Sequence, residues 1–206
     1  MTETTRHSER TQLLIKRIFD VTSAGLLLIF FMPMFGFLWV LIRCTSAGPA
    51  IFRQRRVGLL GREFVIYKFR TMYENAESEL KAHPELMEWS GPTFRVRNDP
   101  RVTRIGTFLR RFKLDELPQL INVLSGDMSL VGPRPHLVEE AARYETWHER
   151  RLLCKPGLTG LWQIEDRHHL DFAESIRLDL RYVDEWSLWL DLRILAKTVP
   201  ALLSAL

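Results

Sequence analysis

A chain of 206 residues with a formal charge of +4 is long enough for one domain with a sizeable core, with or without a membrane anchor. Its two cysteines, Cys44 and Cys154, stand far apart with no Cys or His at ligand spacing, which excludes a disulfide framework and a zinc site and fits a reducing compartment. The net charge understates a local asymmetry: between residues 43 and 70 Arg43, Arg53, Arg55, Arg56, Arg62, Lys68 and Arg70 are opposed by Glu63 alone, and 95–113 is similarly one-sided, a pattern suited to phosphate, nucleic acid or a membrane surface.

In chain order, residues 1–15 read as a loose polar tail without chemistry. Val21 to Ile42 carries no charge, is rich in Leu, Phe and Ile, and is long enough to cross a bilayer. Lys16 and Arg17 precede it and Arg43, Arg53, Arg55 and Arg56 follow it, so the positive-inside rule assigns both ends to one side. Pro33, near the middle, removes a backbone hydrogen bond and offers a bend. A re-entrant helix over 16–43 is therefore expected in preference to a straight span, with 44–206 forming a cytoplasmic catalytic domain. A cleaved signal peptide is set aside, because the run is long and is followed by arginines rather than a small-residue cleavage site.

Ser46 to Pro49 reads as a turn, after which Ala50–Gln54 and Phe64–Phe69 are expected as a small hairpin joined across Gly58 and Gly61. A helix is expected over 73–88, interrupted by Pro84, and Gly91-Pro92 with Asn98-Asp99-Pro100 brackets a loop. Ile105, Phe108, Leu109 and Phe112 make one apolar stripe among Arg104, Arg110, Arg111 and Lys113, which predicts a basic amphipathic helix suited to anions or anionic lipid heads. Asp115 and Glu116 then open a helix whose stripe of Leu117, Leu120, Ile121 and Leu124 ends at Gly126, with Pro118 tolerated in the first turn. Two adjacent carboxylates there can hold a metal or attack phosphorus, and equally can serve as an N-cap and a dipole complement. Leu137 to Leu153 reads as a polar, exposed helix ended by Lys155-Pro156-Gly157. Ser187 to Leu206 places Leu188, Trp189, Leu192 and Leu195 on one face, either for the membrane interface beside Trp186 or for the core. The expected class is thus α+β, predominantly helical: a monotopic membrane protein with a re-entrant helix, a small hairpin and amphipathic interfacial helices.

Several long motifs in order carry a resemblance. They are Lys16 to Asp20 (KRIFD), Ser46 to Pro49, Phe52-Arg53-Gln54, Tyr67 to Met72 (YKFRTM), Asp115 to Gln119 (DELPQ), Gly126 to Ser129, Val131 to Pro135 (VGPRP) and Lys155 to Gly160 (KPGLTG). From Lys16 to about the C-terminus the chain resembles the bacterial sugar transferases, the monotopic polyprenyl-phosphate phosphoglycosyl transferases that start lipid-linked glycan assembly. The resemblance implies a ping-pong reaction at the cytoplasmic face of the bacterial inner membrane. The aspartate matching Asp115 attacks the sugar-bearing phosphate of a UDP-sugar, UMP leaves, and polyprenyl phosphate takes the phosphosugar. It implies Glu116 as base or metal partner, Mg2+ held by Asp115 and Glu116, and Arg110, Arg134 and Lys68 at the phosphates. Arg134 also suits a loop-stabilising hydrogen bond, and Lys68 a structural role. Gly160 to Gln163 and Trp186 to Leu192 look more like enzymes that initiate exopolysaccharide with glucose or galactose. Implied partners are the UDP-sugar donor, polyprenyl phosphate, inner-membrane lipids and a second copy of the chain.

This chain departs from the family pattern at three places. Met32-Pro33 replaces the common Ser-Pro at the bend of the anchor. Lys113 replaces a small hydroxyl residue, where its charge can depress the Asp115 pKa or contact a phosphate. His168 and His169 fall where relatives carry Gly-Arg, and read as exposed loop residues rather than metal ligands. A non-catalytic, membrane-anchored binding module of the glycan machinery is the alternative reading, against which the intact Asp115-Glu116 pair argues. Nucleic-acid binding is not expected, because no groove-reading motif accompanies the arginines.

Overall fold

In a computed structural model of the chain, residues 3–82, 88–90, 93–96, 99–165 and 171–203 are described. Pro84, the Gly91-Pro92 pair, Asn98, His168 and His169 lie outside these residues.

One helix, α1 (Glu3–Thr45), runs for 43 residues, roughly 65 Å at 1.5 Å per residue. The expected loose tail is instead its first turns from Glu3, since an established helix extends at little cost into residues such as Glu9, Arg10 and Gln12. The helix also continues through Pro33. One face of α1 is packed along much of its length against the rest of the protein. Ala24 is fully buried with Leu120, Val123, Leu130 and Ile194, and Leu28 packs against that cluster. Beyond Pro33, Leu38 and Ile42 are buried with Ala50, Phe69 and Leu109. The opposite face leaves Leu26, Ile29, Phe30, Met32 and Phe37 exposed.

Polar ties fix the first half of α1. Arg17 donates to the carbonyls of Val123 (2.6 Å) and Leu124 (2.8 Å), capping a helix C-terminus where a cation is favoured. Asp20 accepts from the Leu130 N–H at 3.0 Å. Lys16 donates to Asp191 Oδ2 at 2.6 Å, and Tyr182 Oη donates to Asp191 Oδ1 at 2.7 Å. The charges read as a topological flank are therefore structural ties. Asp191→Asn is expected to lower stability by about 3 kcal/mol, because it leaves the Lys16 ammonium nearly buried without its counter-charge. A thermal melt of the detergent-solubilised variant measures this.

The hairpin forms with longer strands than expected: β1 (Ile51–Val57) pairs antiparallel with β2 (Glu63–Phe69), from Ile51 opposite Phe69 to Val57 opposite Glu63. Leu60 and Gly61, both at positive φ, make the turn tight enough for Val57 to stay paired. The helix expected over 73–88 is α2 (Ala76–Ala82), followed by the short antiparallel pair β3 (Glu88–Ser90) and β4 (Thr93–Arg95). The basic helix is α3 (Arg104–Arg111), capped by Thr103 Oγ1, which accepts from the Gly106 N–H.

Asp115 and Glu116 do not open the following helix. They occupy their own 3₁₀ turn, Leu114–Glu116, and α4 (Gln119–Ser125) starts after Pro118 and ends at Gly126, which is left-handed at φ 91°. Two short parallel strands follow, β5 (Ser129–Val131) and β6 (Gly157–Thr159). Their close approach needs glycine: a Cβ on Gly157 would lie 2.0 Å from the Gly132 nitrogen.

The polar helix expected over 137–153 is broken into α5 (Val138–Ala141) and a 3₁₀ turn, Glu149–Leu153. It is not all exposed, because His148 and Arg151 turn inward with His136. After α6 (Leu161–Ile164), α7 (Phe172–Glu185) begins with a capping box between Asp171 and Glu174. In α8 (Leu188–Leu203) the expected face is split: Trp189 and Leu192 are exposed, whereas Leu195 packs on the core. The inward line runs instead through buried Asp191 and Ile194 to half-buried Thr198, which meets Thr159 at 2.8 Å, and Trp186 donates inward to Asp191. Helices dominate, strands are short, and both cysteines are free.

Candidate active site

Lys113 sits in the left-handed region (φ 57°, ψ 20°) and turns the chain sharply from α3 into the Asp115-Glu116 turn. Leu109 and Leu120, buried on either side, hold this corner in place. The Asp115 side chain is thereby carried inward, only 7% exposed, and its Oδ1 is buried without a hydrogen-bond partner. An orphaned carboxylate oxygen is costly, so a cation or donor brought to it would be favoured.

Glu116 faces β2. Lys68 Nζ donates to its Oε1 at 3.2 Å, and Lys113 Nζ lies 3.7 Å from the same oxygen. Asn122 sets this contact. Its side chain accepts from the Tyr67 N–H (3.1 Å) and donates to the Val65 carbonyl (2.7 Å), so α4 is bonded to the edge of β2 one residue from Lys68. Strand alternation puts Ile66 on the Lys68 face, and the antiparallel register places Gln54 opposite Ile66 and Arg56 opposite Phe64. Arg56 thereby enters the site, its Nη1 donating to the Pro135 carbonyl at 3.0 Å.

A small cavity of about 10 Å3 is lined by Arg56, Lys68, Glu116, Gln119, Arg134 and Trp162, among others. That volume is about one water, so any larger ligand must open it further. The Arg134 guanidinium lies over the Trp162 ring, 5.2 Å from its centroid. The buried Trp162 Nε1 has no hydrogen-bond partner. Arg110 stands on the other side of the carboxylates, its Nε donating to Thr71 Oγ1 at 2.9 Å, and does not line the cavity. α3 approaches Thr71 this closely because residue 106 is glycine; a Cβ there would lie 2.0 Å from the Thr71 carbonyl oxygen.

The two carboxylates have opposite electrostatics. Burial raises the Asp115 pKa, and the neighbouring Glu116 charge raises it further, against Lys68, Lys113 and Arg110. Burial pushes Glu116 the same way, but Lys68, Lys113 and Arg134 together outweigh it and hold Glu116 well below the usual carboxylate range. Lys68 is lowered by its own burial, against the pull of Glu116. Burial and the Arg134 charge bring Arg56 down to about 10, still charged at neutral pH. Three cations thus line the cavity against the Glu116 carboxylate, which leaves an excess of positive charge for an anion.

The donor set suits a hard cation held jointly with a substrate. Among the described residues no group of three or more His, Cys, Asp and Glu gathers as a metal cage. Mg2+, however, is commonly held by one or two carboxylates together with substrate phosphates, and the unpartnered Asp115 Oδ1 beside Glu116 offers that kind of partial site.

Of the residues singled out in the sequence, Lys68, Glu116 and Arg134 share the cavity, whereas Asp115, the chain neighbour of Glu116, is not among its lining residues and Arg110 lies apart on the Thr71 side. Arg56, Gln119 and Trp162 were not expected in the site. Arg56 comes to the Lys68 face only through the pairing of β1 with β2, which sets it opposite Phe64, so no local signal marks it.

Comparison with known proteins gives one family. A family model described as bacterial sugar transferase matches residues 11–205. The chain is 44% identical over 204 residues to the galactosyl transferase CpsE of Streptococcus agalactiae, covering 94% of this chain and 43% of that protein. It is 42% identical over 190 residues to the exopolysaccharide production protein ExoY of Rhizobium meliloti, covering 90% of this chain and 84% of that protein. It is also 42% identical over 205 residues to the UDP-glucose:undecaprenyl-phosphate glucose-1-phosphate transferase of Caulobacter vibrioides, covering 92% and 70%. The chain spans under half the length of several relatives, CpsE among them.

Proposed function

We propose that this chain, which belongs to the bacterial sugar transferase family, moves a sugar 1-phosphate from a UDP-sugar to polyprenyl phosphate and releases UMP. The observation that carries this reading is the buried Asp115 carboxylate, with one oxygen unpartnered, beside Glu116 and within electrostatic reach of Lys68, Lys113 and Arg110.

In the first half-reaction an Asp115 oxygen attacks the sugar-bearing phosphorus. A phosphorus–oxygen bond forms to Asp115, the bond to the UMP phosphate breaks, and the electron pair leaves with UMP. In the second, an oxygen of polyprenyl phosphate attacks the same phosphorus and expels Asp115 as a carboxylate, leaving a polyprenyl diphosphosugar. Arg134, Lys68 and Arg56 offset the charge of the diphosphate that an anionic nucleophile must approach. Mg2+ held by Asp115 and Glu116 with the donor's phosphates would supply further neutralisation. Ionised Glu116 keeps Lys68 and Lys113 directed at the site.

Glucose or galactose is the sugar in this reading, in keeping with the glucose-1-phosphate and galactosyl transferases among its relatives, and exopolysaccharide initiation is the role. The reaction belongs at the cytoplasmic face of the bacterial inner membrane, with α1 entering and leaving on that side. The packing of α1 supports this topology. Lys16 and Ile42 are about 39 Å apart along a helix, more than the roughly 30 Å hydrocarbon core, yet both are held against the same protein body.

Intact-mass analysis after incubation with Mg2+ and a panel of UDP-sugars, without lipid acceptor, tests the mechanism. A hexose-phosphate adduct on the wild type, discharged by added polyprenyl phosphate, is the expected result. Donor binding without any adduct would reject the covalent step.

A further inference from the structure

We propose that the buried ion pair of Arg151 and Asp179 is a positioning device for Arg134, acting through the backbone of the Gly-Pro-Arg-Pro loop. The inference rests on the reading of Arg134 as a ligand of the donor's diphosphate.

Neither partner lines the cavity. Arg151 lies in the Glu149–Leu153 turn and Asp179 in α7, and their side chains are 2% and 4% exposed. Arg151 Nε and Nη2 both donate to Asp179 Oδ2, and Nη1 donates to Tyr144 Oη at 2.5 Å. The guanidinium is therefore fixed in plane and in rotation. Its bond to the loop is from Nη2 to the carbonyl oxygen of Arg134, at 2.7 Å.

That bond belongs to a continuous set. The carbonyls of Pro133, Arg134, Pro135 and His136 each accept from a different donor: Gly157 N at 2.8 Å, Arg151 Nη2, Arg56 Nη1 at 3.0 Å and Val57 N at 3.0 Å. Two of the four donors are strand backbone that any sequence supplies. The other two are guanidinium groups, and of these only Arg151 addresses the residue that carries the site cation.

Such restraint has a physical purpose. The Arg134 side chain stands close to Arg56 and Lys68, whose like charges work against the pull of Glu116 that draws it into the cavity. A fully buried ion pair is a weak means of stabilising a core, since apolar residues of the same volume do as well or better. It is a good means of fixing direction, because a guanidinium fork has one geometry.

The test is a double-substitution cycle on UDP affinity, measured by calorimetry on the full chain in detergent without turnover. Arg134→Ala alone should weaken UDP binding about 10-fold or more. Asp179→Asn, which leaves Arg151 without its charge partner, should also weaken it about 10-fold, but less than 2-fold once Arg134 is already alanine. Tyr144→Phe, which retains the ion pair and frees Nη1 together with His136 Nδ1, should give a smaller loss with the same dependence on Arg134, and serves where Asp179→Asn fails to fold. Equal losses in both backgrounds would overturn the positioning role while leaving Arg134 as a ligand. An Arg134→Ala variant with wild-type UDP affinity would overturn both.

Discussion

Asp115→Asn is expected to abolish UMP release, by at least about a thousandfold, and the phosphosugar adduct with it, while making the folded protein more stable. The loss follows from removing the nucleophile. The gain follows from the site's electrostatics, because burial and the Glu116 charge raise the Asp115 pKa. Folded Asp115 titrates above its unfolded value of about 3.9, so its protonated form favours the fold. That contribution is whole below the unfolded value and is lost as pH rises through the folded pKa. At neutral pH the ionised carboxylate works against folding, by about 1.4 kcal/mol for every tenfold by which the fold weakens its acidity. A neutral amide removes this penalty. Thermal melts of wild type and variant should differ most near pH 7, with the variant higher, and converge on acidification toward pH 4. A variant less stable than wild type at pH 7 would contradict this account of the site.

Glu116→Gln, one residue on, is expected to do the opposite to stability. It should lower it by about 3–5 kcal/mol, because Lys68 loses its hydrogen-bonded counter-charge. Here the folded pKa is depressed by Lys68, Lys113 and Arg134 in spite of burial. The Glu116 contribution is therefore present above its unfolded value of about 4.3 and is lost only as pH falls through the folded pKa. Turnover should fall as well, since Lys68 and Lys113 are no longer held toward the phosphates. Adding Lys68→Met to Glu116→Gln removes the stranded charge and should restore most of the stability without restoring activity. Melting curves on the two variants, with UMP release in parallel, separate these effects.

Much of the site was legible because its chemistry is local in the chain. Asp115, Glu116 and Lys113 are neighbours in sequence, and the stripe from Leu117 to Leu124 with Gly126 defines α4 without reference to the rest. What was not legible depends on long-range pairing. Arg56 enters the cavity through strand register, and Asn122 reads as an ordinary helix residue until it is seen bonding the β2 backbone. The segment from Leu137 to Leu153 is polar enough to suggest a solvated helix, yet His148 and Arg151 are turned inward. His136, Tyr144 and Arg151 satisfy one another and Asp179, a grouping that composition cannot distinguish from a surface. In α8 the apolar stripe is divided, Trp189 and Leu192 outward and Leu195 inward, because Asp191, the residue that should face water, is the one bonded to Lys16.

The ties of Lys16, Arg17 and Asp20 make the first half of α1 an inner wall of the protein. Cutting the chain after the apolar run would strip the Leu130 N–H of its acceptor and the Val123 and Leu124 carbonyls of their donor. It would also uncover Asp191 and the cluster around Ala24. A truncated, water-soluble catalytic fragment is therefore not to be had by deletion. Purification, crystallisation and inhibitor screening have to keep α1, and with it a detergent or lipid around its outer face.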